Sequence, residues 1–142
     1  MCNRQIWQGE VNSNSACLNY RLMTSQKELQ FYLSKLPQKY SYTLCKFKCG
    51  NHKLPIIRGR YNNVNIDDRK CELCQQNDIG DEFHYLFKCD FFNDSRKRLL
   101  KKYYYQNPSA LKMSQLFACK TYNLVLNLAK FVNIVMEHFK NV

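Results

Sequence analysis

The stretch "CELCQQNDIGDEFHYLFKC", residues 71–89, places three cysteines and one histidine within nineteen positions. Three readings compete for it: a metal site, a disulfide loop, or small buried thiols that fall close together. Zinc takes four ligands in a tetrahedron and favours thiolate and imidazole donors. Cys71-x2-Cys74 has the spacing of a tight knuckle that presents two sulfurs to one ion. His84-x4-Cys89 suits a second pair supplied by a helix and its frayed end. Gly80-Asp81-Glu82 reads as a helix start, which puts His84 in the first turn. On an ideal helix Cys89 would lie about 140° around from His84. The helix is therefore expected to loosen or end near Lys88, letting Cys89 swing back to the metal. Between the pairs, "QQNDIGDEF" leaves room for a short hairpin or turn. It is too long for a retroviral-type knuckle and somewhat short for a Cys2His2 finger.

Paired spacings in both halves favour zinc over reduced cysteines serving as small core residues. A Cys71–Cys74 disulfide would be strained, and a reducing compartment argues against it. Cys71, Cys74, His84 and Cys89 leave no coordination position open, so the expected Zn2+ is single and structural rather than catalytic. Three thiolates and a neutral imidazole on it lower the formal charge by one. Cys45, Cys49 and His52 form a second set. Two small residues on a buried helix face is the favoured reading there, and a second metal site is the alternative. Cys2, Cys17 and Cys119 have no partner at metal spacing.

With 142 residues, 45% hydrophobic, the chain suits a single domain with an ordinary core. Four glycines and three prolines among many helix formers point to a mostly helical protein. Twenty-two Lys and Arg against eleven Asp and Glu give +11, a balance that favours polyanions. The N-terminal residues lack the apolar core of a secretory signal. The most apolar run, "TYNLVLNLAKFVNIVMEHF", is broken by Asn123, Asn127, Lys130, Asn133 and Glu137, and is no membrane span. The expected compartment is intracellular, nucleus or cytoplasm, where cysteines are thiols or metal ligands first.

Residues 1–24 read as an N-terminal extension, 25–70 as a helical pair and basic loop, 71–89 as the zinc site, and 90–142 as C-terminal helices. Ser25 and Glu28 form a capping box before Leu29, Tyr32, Leu33 and Leu36, and Pro37 ends that run. A second helix is predicted over "KYSYTLCKFKCG", with Tyr42, Cys45 and Cys49 on one side and Gly50 as its C-cap. Residues 51–70 read mostly as loop, with a short extended piece around 54–57. "NDSRKRLLKKYYY" predicts a third helix capped by Asn93 or Asp94. Pro108 breaks the chain before two closing helices, 109–119 and 121–139. The last has so narrow a polar stripe that most of its circumference needs burial, internally or against a partner.

At about 100° per residue, Lys97, Arg98, Lys101 and Lys102 share one arc of the third helix. Leu99, Leu100 and Tyr103 fall on the opposite, core side. A second basic concentration lies before and beside the knuckle: Lys46, Lys48, Lys53, Arg58, Arg60, Arg69 and Lys70, with Tyr61 placed to stack on a base. With the overall charge, phosphate contact is favoured over a merely solvated face. No residue pattern encodes base readout, so binding to RNA or DNA is expected to follow shape and charge.

The order "KFKCGNHKLPIIRGRYNN…RKCELCQQNDIGDEFHYLFKC" resembles the zinc-binding region at the C-terminal end of LINE-type (non-LTR) retrotransposon reverse transcriptases, especially the invertebrate endonuclease–reverse transcriptase group. The similarity runs from about Trp7 to the end and is sharpest over "HKLPI", "GRY", the C-x2-C pair and "DEFHYLFKC". By that resemblance Cys71, Cys74, His84 and Cys89 match the family's metal ligands. Ile57-Arg58 replaces the Glu-Thr of its usual "IETGR", adding positive charge. Tyr-x-Asp-Asp and Pro-Asp are both absent, and turn and capping roles account for Asp67, Asp68, Asp78 and Asp81. No catalytic site is read, and the chain is not expected to be an enzyme. The expectation is a small, mostly α-helical domain around one structural zinc, gripping template RNA or target DNA. The alternatives are a zinc-stabilised interaction module, docking on an upstream polymerase domain or self-associating through 124–139, or a decayed fragment.

Overall fold

A computed structural model describes Met23 and residues 34–141, and among these the protein is helical with no strands. The capping box at Ser25 and Glu28, and Leu29, Tyr32 and Leu33, lie outside the described residues. Pro37 marks a helix start here: its carbonyl accepts the Tyr40 and Ser41 N–H groups at 2.9 and 3.1 Å, opening α1, Gln38–Lys48. The helix ends as Gly50 requires. With φ at 75°, Gly50 lets its own N–H reach Phe47 and the Asn51 N–H reach Lys46, closing the last turn in a Schellman motif.

The stretch expected to be loop with an extended piece at 54–57 is instead helix α2, Pro55–Tyr61. Leu54 is extended at the N-cap, and Pro55 occupies a first-turn position where its missing N–H costs nothing. Leu54, Ile56 and Ile57 all bury, so a β-branched pair that suggested a strand packs on a helix face. Gly59 is required by packing: a Cβ there would lie 2.3 Å from Cγ of Arg69. The Arg69 guanidinium in turn donates to the carbonyls of Val64 and Ile56 at 2.9 and 3.0 Å. It thereby fastens α2 to a 3-10 turn, Ile66–Asp68.

Helix α3, Glu82–Phe87, is followed by a 3-10 turn, Asp90–Phe92, and by α4, Asn93–Leu99. The single basic helix expected from residue 93 to 105 is broken at Leu100, whose backbone is extended (φ −110°, ψ 148°). It resumes as the one-turn α5, Lys102–Tyr105. Neither Asn93 nor Asp94 caps; Phe92 stands at the N-cap without a side-chain bond. Leaving the helix lets Leu100 bury, while Tyr103, expected on the core side, stays 53% exposed.

The two closing helices form as expected: α6, Ala110–Phe117, capped by Ser109, whose hydroxyl accepts the Lys112 N–H, and α7, Tyr122–His138. Helix α7 is the axis of the fold, lying against α1 and α4. Val125, Leu128, Ala129, Phe131, Val132 and Val135 bury within one core that also takes Phe47, Tyr85, Phe92 and Met113. Leu126, Ile134 and Met136 are partly buried around the same helix. No helix among the described residues is long and apolar enough to cross a membrane.

Candidate metal centre

The first half of the site is a knuckle held by a minimal hairpin. Lys70 and Ile79 form an antiparallel bridge; the Cys71 N–H donates to Asp78 O at 2.9 Å and the Gly80 N–H to Arg69 O at 2.9 Å. Asn77 turns the chain with φ at 60°, a conformation asparagine tolerates. Inside the knuckle the Leu73 N–H points at Cys71 Sγ, 3.3 Å away.

Helix α3 supplies the second half. Asp81 caps it, its carboxylate accepting the His84 N–H at 2.9 Å and fixing His84 in the first turn. The far end loosens where Cys89 requires: the Lys88 and Cys89 N–H groups both converge on the His84 carbonyl, at 2.8 and 2.9 Å. Cys89 then takes extended backbone and turns back, fully buried. Gln76 clamps the knuckle to this end by donating to Lys88 O at 3.1 Å.

The result is one cluster: the ligand atoms of Cys71, Cys74, His84 and Cys89 all lie within 4.8 Å of one another. Cys71 and Cys89 Sγ are 3.7 Å apart, and Cys74 Sγ is 3.3 Å from His84 Nε2. Bonds of about 2.3 Å to sulfur and about 2.0 Å to nitrogen put tetrahedral edges at about 3.8 Å (S–S) and about 3.5 Å (S–N). The four donors therefore fit one tetrahedral ion and leave no position open.

The electrostatics agree with that use. Burial holds His84 below the ordinary histidine value, with the Asp78 charge opposing, so the ring is the neutral imidazole a metal needs. Its Nδ1 is buried without a hydrogen bond and has Asp78 Oδ2 3.7 Å away, where a carboxylate orients a ligating ring. Burial pushes the Cys89 thiol up to about 12 and raises Cys74. At Cys71 burial is outweighed by Tyr85 and by the Leu73 and Cys74 N–H groups, which hold it below the ordinary thiol value. The Tyr85 hydroxyl is buried outside regular hydrogen-bond geometry, yet close enough to Cys71 for its dipole to favour the thiolate. A dication among the sulfurs reverses the burial penalty on each.

Two supports were not anticipated. Arg96, 1% exposed, reaches under the site and donates to Leu86 O at 2.7 Å, Tyr85 O at 2.9 Å and Asn93 Oδ1 at 2.6 Å. It satisfies the carbonyls at the end of α3 and lies 5.6 Å from the centre of the Phe131 ring in α7; burial holds its guanidinium below the ordinary arginine value, with Cys89 and Asp90 opposing. His52 proves to be neither a ligand nor idle. Its Nδ1 accepts the Leu54 N–H at 3.2 Å, so the proton is on Nε2, which donates to Glu82 Oε1 at 2.8 Å. Cys45 and Cys49, expected on a buried face, are exposed, because α1 turns Thr43, Leu44, Phe47 and Lys48 inward. They join no metal cluster among the described residues. Cys2 and Cys17 lie outside those residues.

The twelve residues singled out for nucleic acid divide into two groups. Arg60, Lys70, Lys97, Arg98, Lys101 and Lys102 are exposed, and Tyr61 is 78% exposed. Lys53 is exposed with its Nζ on Lys140 O at 3.1 Å, and Lys46 lies 4.6 Å over the Tyr42 ring. Arg69 is committed to backbone carbonyls, and Arg58 to Lys53 O at 2.8 Å with Glu72 at 3.5 Å. Lys48 is buried, and burial brings its ammonium down to about 8 against the opposing Cys45 and Cys49 charges. No family model, curated protein or solved structure matches this chain.

Proposed function

We propose that the chain is a non-catalytic nucleic-acid-binding module whose bound ion is Zn2+. In this reading it serves as the C-terminal part of a LINE-type reverse transcriptase does, gripping template RNA or target DNA. One observation carries the reading: a closed Cys3His cluster, with no position for substrate, stands between two sets of exposed cations. Arg60 and Lys70 precede the knuckle; Lys97, Arg98, Lys101 and Lys102 follow α3. Three thiolates and one imidazole are donors that select zinc over hard cations. The ion orders the chain between the two basic segments and does no chemistry of its own.

The test joins two measurements. Native mass spectrometry should find one zinc per chain, lost in His84→Ala; a folded, metal-free protein would end the zinc assignment. Filter binding should show RNA or DNA retained at low salt and released as salt rises. In the combined Lys97→Glu, Arg98→Glu, Lys101→Glu, Lys102→Glu variant the salt slope should fall by about one for each phosphate left without its cation. Unchanged binding would remove α4 and α5 from the reading, and no retention by the native chain would overturn it. The partly buried Leu126, Ile134 and Met136 of α7 favour the second reading, a protein-interaction module. That reading predicts self-association or docking on a polymerase domain without retention.

A further inference from the structure

A cleft of about 550 Å³ opens where the end of α1, the 51–53 turn and the last turns of α7 meet, with Tyr61 at the end of α2 on its wall. Two large rings stand in it largely open to solvent: Tyr42 is 62% exposed and Tyr61 78%. Three ammonium groups, Lys46, Lys53 and Lys140, line the same cleft. Lys46 lies 4.6 Å over the Tyr42 ring, and Lys53 is oriented by the Lys140 carbonyl. The wall also carries one carboxylate, Glu137, which lies 3.9 Å from Lys140 Nζ.

Singly exposed aromatics are ordinary on a surface. Two in one concavity, interleaved with lysines, form the combination that holds unpaired bases: every base has a π-face to stack on a ring, and its phosphates lie within reach of the cations. A duplex keeps its bases stacked on each other and cannot present one to a cleft. We propose that this cleft takes unpaired bases of a single-stranded RNA or DNA, stacked on Tyr42 and Tyr61, with Lys46, Lys53 and Lys140 on the flanking phosphates. The proposal rests on the nucleic-acid reading above and adds a strand state to it. The exposed cations of α4 and α5 serve any phosphate backbone; the cleft serves only a single strand.

The test measures fluorescence anisotropy of a fluorescein-labelled oligonucleotide, single-stranded and annealed to its complement, against the zinc-loaded full chain. Both tyrosines are exposed, so Tyr42→Ala with Tyr61→Ala should keep zinc content and helical circular dichroism. The double variant should bind the single strand on the order of 10- to 100-fold more weakly and the duplex unchanged. Tyr42→Phe with Tyr61→Phe, which keeps the rings, should bind both like the native chain. Equal weakening on both probes, or none on the single strand, would overturn the cleft while leaving the general reading intact. Loss of single-strand binding in the Phe pair would also overturn it, since stacking needs no hydroxyl. A native chain that binds neither probe would overturn both proposals together.

Discussion

Arg96 is the largest fully buried side chain among the described residues, and its charge is used three times over. Arg96→Met keeps most of the volume but strands two buried carbonyls at the end of the helix that carries His84. The expected cost is roughly 2–4 kcal/mol in urea denaturation, with an ion loaded on the Cys3His cluster passing faster to a chromogenic chelator. An unchanged midpoint would show that water takes over the carbonyls. Lys48 works in the opposite direction. Its folded value of about 8 lies below the ordinary 10.5, so the unfolded chain holds the proton more tightly between those values. The burial penalty is therefore complete below about pH 8 and fades as pH rises towards 10.5. Lys48→Met should be more stable than the native protein at pH 7, by on the order of 1–3 kcal/mol, with the gain vanishing in alkali. A thermal-melt series across pH checks the sign. The ligand quartet was legible because metal spacing is a local property of sequence. Arg96 was not: within "NDSRKR" it looks like any surface cation, and only the packing of α3, α4 and α7 sends it inward.

Some helix termini were legible: Asp81 caps as read, Gly50 closes α1, and α3 frays where Cys89 requires, whereas the caps expected at Asn93 or Asp94 do not form and Pro37 starts a helix instead of ending one. Two elements were not. The Leu54–Ile57 run mimics a strand because its hydrophobics are contiguous, and only a helix inserted between the core and the 3-10 turn buries them on one side. The break at Leu100 carries no Gly or Pro; burial of that leucine decides it. Gly59 tests the first case. Ala is the better helix former by about 1 kcal/mol, yet its Cβ would displace Arg69 from its two carbonyls. Gly59→Ala should therefore lose roughly 1–3 kcal/mol net in urea titration. A stabilised variant would show that the Arg69 clamp is dispensable.

At the scale of the whole molecule the metal-ligand cluster and the core have separate duties. The α1, α6 and α7 packing is ordinary hydrophobic burial, whereas in 71–89 α3 enters that core through Tyr85, Leu86 and Phe87, and the knuckle before it is held by the ligand cluster and a two-bond hairpin. Stripping the ion with a chelator should lower the thermal midpoint by about 10–20 °C while much of the helical signal survives. A melt indifferent to chelation would mean that the hairpin and Arg96 suffice. The mostly helical class was legible from composition alone, since scarce Gly and Pro and one long amphipathic closing helix leave few other ways to bury 45% hydrophobic residues. The arrangement around α7 was not, because it depends on which helix faces meet.

The His52–Glu82 bond has a consequence of its own. His52 stands on the cleft wall, and Glu82 opens the helix that holds His84, so one hydrogen bond joins the two places. Thermodynamic coupling runs equally in both directions. If an ordered cluster favours occupancy of the cleft, an occupied cleft must favour retention of the ion by the same factor. On the proposed function, a strand held there would then be a custodian of the metal, and under competition from other chelators the chains that carry no strand would be the first to be emptied.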